Sequence, residues 1–198
     1  MILKTKRLIL RPPRKSDWKD IVEGVKDLEV SRMLLVVPHP YAKKDAMWWI
    51  NAKLKELKKK NKKEYVFFME LKSEKKVIGV TSIHGIDKQN KKGYTGSWVN
   101  KKYWRKGYIL EAKIPVLDFA FNNLKLRKIE TAAFVDNMAS NKMSQKLGFV
   151  KEGMRRKSVI AKSDKKIHDE NIYGLLKEGW IKKRPKLIKE IENKIKND

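Results

Sequence analysis

Apolar positions along this chain alternate in some stretches and recur every three or four residues in others, and those changes of period mark its elements. Residues 2–11 alternate weakly and are rich in Leu and Ile, which predicts an edge strand closed by Pro12 and Pro13. Ser16 stands where a cap belongs, ahead of a helix with Ile21, Val22, Val25 and Leu28 on one face. A short apolar segment, 31–37, is broken by Pro38 and Pro40. From 43 to 60, Ala46, Trp49, Ile50, Leu54 and Leu57 predict an amphipathic helix with a lysine-rich, solvated end. Strands then follow at 65–71, 77–86 and 94–99 with short polar turns between them, the pattern of an antiparallel meander.

The next helical pattern carries Ile109, Leu110, Ile114, Leu117, Phe119 and Phe121, and Pro115 inside it is expected to bend or shorten it. A strand at 127–135, a helix at 139–147 ended by Gly148, and a strand from Phe149 come next. A hairpin then turns around Lys162, Ser163 and Asp164 between 155–161 and 167–176. Pro185 is expected to open a last helix with Leu187, Ile188, Ile191 and Ile195 on one stripe and lysines opposite. The order is β-α-α-βββ-α-β-α-ββ, a mixed α/β (α+β) fold with a mostly antiparallel sheet flanked by helices. One domain over 1–180 with a basic helical extension at 181–198 is the expected organisation.

One stretch, 92–112, carries the candidate chemistry. A strand ending in Trp98 and Val99 passes through Arg105, Lys106 and Gly107 into a helix that begins near Tyr108. Such a turn aims backbone N–H groups and the positive end of a helix dipole at one point, where a phosphate binds well. The alternative is an ordinary strand-to-helix turn whose glycine supplies an unusual backbone angle.

Around it stand Thr5-Lys6-Arg7-Leu8-Ile9-Leu10-Arg11, Tyr103-Trp104, Gly107-Tyr108, Glu111-Ala112, Asn137-Met138-Ala139-Ser140 and Leu147-Gly148-Phe149, followed by Asp169, Tyr173, Leu175 and Leu176. In this order they resemble the GNAT superfamily of N-acetyltransferases, and within it the branch that acetylates ribosomal-protein N-termini; the resemblance covers about residues 3–180. It implies the acyl-coenzyme A N-acyltransferase fold and acetyl-coenzyme A as donor. It also implies that Trp98, Val99 and Asn100 hold the thioester carbonyl and pantetheine arm by backbone groups. Backbone from Arg105 to Ile109, with Trp104, Lys106, Gly107 and Tyr108, would cradle the pyrophosphate, and Asn137 would bond the pantetheine. Lys142 and Lys146 either reach the remaining phosphate or form a solvated helix face.

Two departures from the family stand out. Trp104 and Ile109 occupy the outer positions of the phosphate loop, and Arg105 replaces a frequent glycine. Tyr94 stands where many relatives carry a glutamate base. His84 and Glu70 are the nearest substitutes for that base, and Ser140 or Ser144 offers a hydroxyl to return a proton to the thiolate.

Composition narrows the setting. The absence of cysteine excludes disulfides and thiolate catalysis and suits a reducing interior; no metal-binding set is expected. No apolar run approaches the ~18 residues of a membrane span, so a cytoplasmic protein, monomer or homodimer, is expected. The net charge of +26 is spread along the chain. It fits a lysine-rich proteome and also an acidic partner, whether coenzyme phosphates, an acidic protein or the ribosome. Roughly a tenth of an α-amino group is neutral at pH 7, against about four parts in ten thousand for a lysine. A site without a strong base therefore suits a protein N-terminus; a small-molecule amine acceptor and a noncatalytic coenzyme- or RNA-binding module are the alternatives.

Overall fold

The computed structural model describes residues 1–197. Its centre is an eight-stranded sheet in the order β1-β2-β3-β4-β5-β6-β8-β7. The strands are β1 (Leu3–Lys4), β2 (Leu8–Arg11), β3 (Tyr65–Leu71), β4 (Lys76–Asp87), β5 (Lys92–Val99), β6 (Lys128–Phe134), β7 (Val150–Ile160) and β8 (Ile167–Leu176). Every neighbouring pair is antiparallel except β5 with β6. The helices are α1 (Trp18–Val25), α2 (Leu28–Ser31), α3 (Lys43–Leu57), α4 (Tyr108–Asp118), α5 (Met138–Lys146) and α6 (Lys177–Asn197).

Strand alternation distributes the core over both faces of the sheet. On β3, Val66 and Phe68 meet Ile21 of α1 and Ala46 and Ile50 of α3. Phe67 and Met69, one residue out of phase, join Leu117 and Ala120 beside α4 and Trp180 and Leu187 of α6. The edge strand β7 is exposed except at the half-buried Val159 and carries Lys151, Arg155, Arg156 and Lys157, charges that discourage pairing with another sheet.

Three local expectations are corrected. Ser16 does not cap α1; it lies in a 3-10 turn, Lys15–Asp17, where the Asp17 carboxylate accepts from the Arg14 amide at 2.6 Å. Pro115 does not shorten α4, which passes through it and widens into a π turn at Phe119–Asn123, where the Leu124 amide reaches back to the Phe119 carbonyl. Pro185 does not open the last helix; α6 starts at Lys177, directly after β8, and carries Pro185 inside it. Trp180 (2% exposed) and Leu187 (1%) bury one stripe of α6 in the main core, which is why the helix runs through the proline. None of the helices among the described residues is long and apolar enough to cross a membrane.

Candidate functional site

The sheet parts at β5. This strand pairs with β4 as far as Gly79↔Val99, yet it runs parallel to β6 only over Lys92–Tyr94 opposite Lys128–Glu130. A last side-chain link, Thr131 Oγ1 to the Thr95 carbonyl at 2.9 Å, marks the apex. Beyond it, β5 from Gly96 to Val99 has no strand on its β6 side. Backbone groups along a strand point alternately to its two neighbours. The Asn100 amide donates to Ile78 of β4 at 2.8 Å, so Trp98 and Asn100 turn their N–H groups to β4, and Ser97 and Val99 turn theirs into the cleft. Of Trp98, Val99 and Asn100, therefore, Val99 alone turns its amide to the cleft, together with its neighbour Ser97. Asn100 is a turn residue instead, its side chain accepting from the Lys102 amide at 3.0 Å.

Each splayed strand runs into the start of a helix, β5 into α4 and β6 into α5, so both helix N-termini lie beyond the carboxyl ends of a parallel pair, where α/β sheets bind ligands. Before α4, Arg105 (φ 63°) and Gly107 (φ 81°) are left-handed. The first intrahelical bond runs from Glu111 to the Gly107 carbonyl, which leaves the amides of Ile109 and Leu110 without helical partners. From behind, Arg7 donates to the Lys106 carbonyl at 2.8 Å, stacks 4.4 Å from the centre of the Tyr108 ring and pairs with Glu111 at 2.7 Å. Glu111 is only 3% exposed and also accepts from Thr5 Oγ1 and the Arg7 amide. The Thr5-Lys6-Arg7 and Glu111-Ala112 motifs are thus two halves of one clamp that fixes the loop. The Trp104 indole closes the turn on the Val99 carbonyl at 2.8 Å, and Arg105 and Lys106 are exposed.

On α5, Asn137 accepts from the Ser140 amide at 3.1 Å, capping the helix and leaving its amide nitrogen uncommitted. Ser144 is buried and donates to the Ser140 carbonyl at 3.0 Å. Its hydroxyl is thereby turned into its own helix and away from the cleft, whereas Ser140 keeps its hydroxyl half-exposed at the helix start. Lys142 is exposed, and Lys146 pairs with Glu190 of α6. Asn141, missed in the sequence, ties α5 to the sheet: it donates to the Phe134 carbonyl and accepts from Asn171 and Tyr173 at 2.8 and 2.7 Å.

His84 and Glu70 lie at opposite ends of the β3–β4 pair. Glu70 is bound by Arg11 at 2.5 Å, and Arg11 in turn grips Asp17, so Glu70 belongs to an ion-pair network and not to the cleft. His84 faces Tyr94 across the strands, ring centres 6.1 Å apart, with Nδ1 3.1 Å from Ser82 Oγ. Burial, and then the charge on Lys113, hold its pKa below the ordinary 6.5, so the ring is a neutral acceptor at pH 7. Its Cε1 edge lies against Gly96, 3.7 Å from where a Cβ would stand. Across the apex, Glu130 stands opposite Tyr94 and bonds it. Partial burial pushes Glu130 up, but hydrogen bonds from Lys128 and Tyr94 outweigh it and keep the group ionised.

Below the apex lies Lys113 of α4, 3% exposed, its Nζ donating to Thr95 Oγ1 at 2.6 Å and the Gly96 carbonyl at 3.2 Å. Burial alone lowers its pKa to about 7. A lysine on the apolar stripe between Leu110 and Leu117 was the signal that could have revealed it.

A mixed sheet that opens between two parallel strands, with a left-handed, amide-rich loop at one mouth, defines the class as acyl-coenzyme A N-acyltransferases. The chain belongs to the GNAT acetyltransferases: the model of the acetyltransferase (GNAT) domain matches residues 7–150. Members of this family take their acetyl group from acetyl-coenzyme A.

Among relatives, a Bacillus subtilis protein provisionally named ribosomal N-acetyltransferase YdaF is 32% identical over 104 residues, 52% of this chain and 56% of that protein. The chain spans little more than half the length of the first curated relatives it matches, 56% and 60%. It spans 96% of N-acetyltransferase p20 of Bacillus licheniformis, 28% identical over 177 residues and 88% of this chain. A solved ribosomal-protein-S5-alanine acetyltransferase of Vibrio fischeri superposes with a TM-score of 0.78 over 91% of this chain and 98% of its own, at 21% identity, which speaks for the fold.

Proposed function

We propose that this chain is an acetyl-coenzyme A-dependent N-acetyltransferase whose acceptor is the α-amine of a protein N-terminus, of the kind a ribosomal protein offers. The coenzyme supplies an activated acetyl thioester. The chain's own groups fit it: loop amides from Lys106 to Leu110 for the pyrophosphate, Asn137 for the pantetheine, and the Ser97 and Val99 amides for the thioester carbonyl. A fixed N–H aimed where negative charge develops lowers the barrier by about 3 kcal/mol.

The observation that carries the acceptor reading is His84, neutral at working pH and adjoining the open strand at Gly96. A histidine is a weak base. It can take the proton from an amine of pKa near 7.7–8.0, part of which is already neutral, far more readily than it can deprotonate a lysine near 10.4. Ser140, half-exposed at the start of α5, is the donor we assign to the departing thiolate, its hydroxyl passing on a proton that solvent replaces. The net charge of +26 draws acidic partners and repels polyamines.

Thiol release with acetyl-coenzyme A and a panel of acceptors tests the reading. Acidic peptides with a free N-terminus should be turned over, and the same peptides with a blocked N-terminus and an internal lysine should not. Turnover of small amines alone would replace this reading with a small-molecule acetyltransferase, and coenzyme binding with no turnover would make the chain a binding module.

A further inference from the structure

The C-terminal helix lies outside the residues matched by the family model, yet its last turns press on the phosphate-binding loop. Lys194 Nζ donates to the Arg105 carbonyl at 2.8 Å. A Cβ on Gly107 would stand 3.0 Å from Lys194 Cδ and 3.1 Å from Ile191 Cδ1. One turn back, Glu190 pairs with Lys146 of α5. At its other end α6 is anchored independently, with Trp180 and Arg184 bonded to Asp118 at 2.9 and 2.7 Å.

The direction of those contacts matters. In a trans peptide the carbonyl of one residue and the N–H of the next point in opposite directions. Lys194 holds the Arg105 carbonyl, which turns the Lys106 N–H away from α6; Arg7, on the next carbonyl, turns the Gly107 N–H away from its own guanidinium. In the first turn of α4, the amides of Ile109 and Leu110 precede the first intrahelical bond and add to the same loop. Arg105 holds φ 63°, a conformation that costs a non-glycine residue about 1 kcal/mol and persists only where its surroundings impose it.

We propose that Lys194 is a positioning residue of the coenzyme site: by holding the Arg105 carbonyl from behind, it keeps the loop in the one shape whose amides converge on the pyrophosphate. In this chain the tail supports a left-handed residue that a glycine would hold without help. The inference rests on the reading of 105–110 as the pyrophosphate loop.

Lys194→Met keeps the aliphatic stem against Gly107 and removes the donor. Calorimetric titration of the full chain should show acetyl-coenzyme A bound about 5- to 10-fold more weakly, with the loss in turnover falling on KM and not on kcat. Acetyl-pantetheine, which lacks the pyrophosphate, should show the same KM with both proteins. Arg105→Gly removes the need for the clamp, so in that background Lys194→Met should have little further effect. Equal losses with both donors would make Lys194 a general stabiliser and overturn the proposal, as would unchanged affinity for acetyl-coenzyme A. A loss that persists in full beside Arg105→Gly would assign Lys194 a direct charge effect on the phosphates and overturn it too. Failure of the wild-type chain to bind acetyl-coenzyme A would instead sink the loop assignment itself.

Discussion

Lys113 offers the sharpest test of the energetics at the cleft. Its amine is buried against Thr95 and Gly96 with no carboxylate beside it, and its pKa falls from 10.5 to about 7. At about 1.4 kcal/mol per pH unit, burial of the charged form costs about 5 kcal/mol at and below pH 7. Lys113→Met removes that penalty and keeps most of the volume. It also forfeits about 1 kcal/mol of hydrogen bonding, while Thr95 Oγ1 retains its bond to the Ser82 carbonyl at 2.6 Å. We expect the variant to be more stable by about 2–3 kcal/mol at pH 7, once some relaxation around the charge is allowed. The sign follows from proton binding. Between pH 7 and 10.5 the unfolded lysine holds a proton that the folded one has released, so wild-type stability gains with rising pH and the advantage of the variant shrinks toward zero. Urea unfolding of both proteins at pH 7 and pH 10 measures this difference, and groups that do not feel Lys113 cancel. A variant less stable at pH 7, or a gap that does not change with pH, would refute the reasoning.

Three further outcomes are expected. His84→Gln should lower kcat by about 100-fold, and the wild-type acid limb of kcat/KM should lie below pH 6.5 and be absent from the variant's profile. Gly107→Val places a branched side chain at φ 81° and 3.0 Å from Lys194, so acetyl-coenzyme A binding should weaken at least about 10-fold by calorimetry, with about 1–3 kcal/mol of stability lost. Glu111→Gln breaks the buried pair with Arg7, and chemical denaturation should register a loss of about 3 kcal/mol together with weaker coenzyme binding, because the same guanidinium holds the Lys106 carbonyl.

The strand, the basic loop and the helix around Gly107 were legible because each rests on local chemistry: alternation, a glycine where φ is positive, an apolar stripe. The meander of β3, β4 and β5 was legible for the same reason. Pairing between distant segments was not. Nothing in the residues 127–135 says that Glu130 stops opposite Tyr94 and that the strands part there, since parallel register is set by the helices that cross between them. Likewise, Pro185 reads as a helix start until Trp180 and Leu187 are seen filling the core on either side of it.

Parity along one strand shows how narrow the missing information was. Trp98, Val99 and Asn100 stand together at the end of one strand, yet consecutive amides on a strand cannot share a side. A single long-range fact, the bond from Asn100 to Ile78, decides the set: the amides of Asn100 and Trp98 serve the sheet, and those of Val99 and Ser97 open into the cleft. The same parity puts His84, Tyr94 and Gly96 on one face of the sheet and Thr95, with Lys113 beneath it, on the other. The histidine face therefore carries a neutral imidazole, while the buried lysine braces the far side of the strand that both of them share. The side-chain face at each position followed from the alternation of apolar residues; which amides were free required knowing where the neighbouring strand ends.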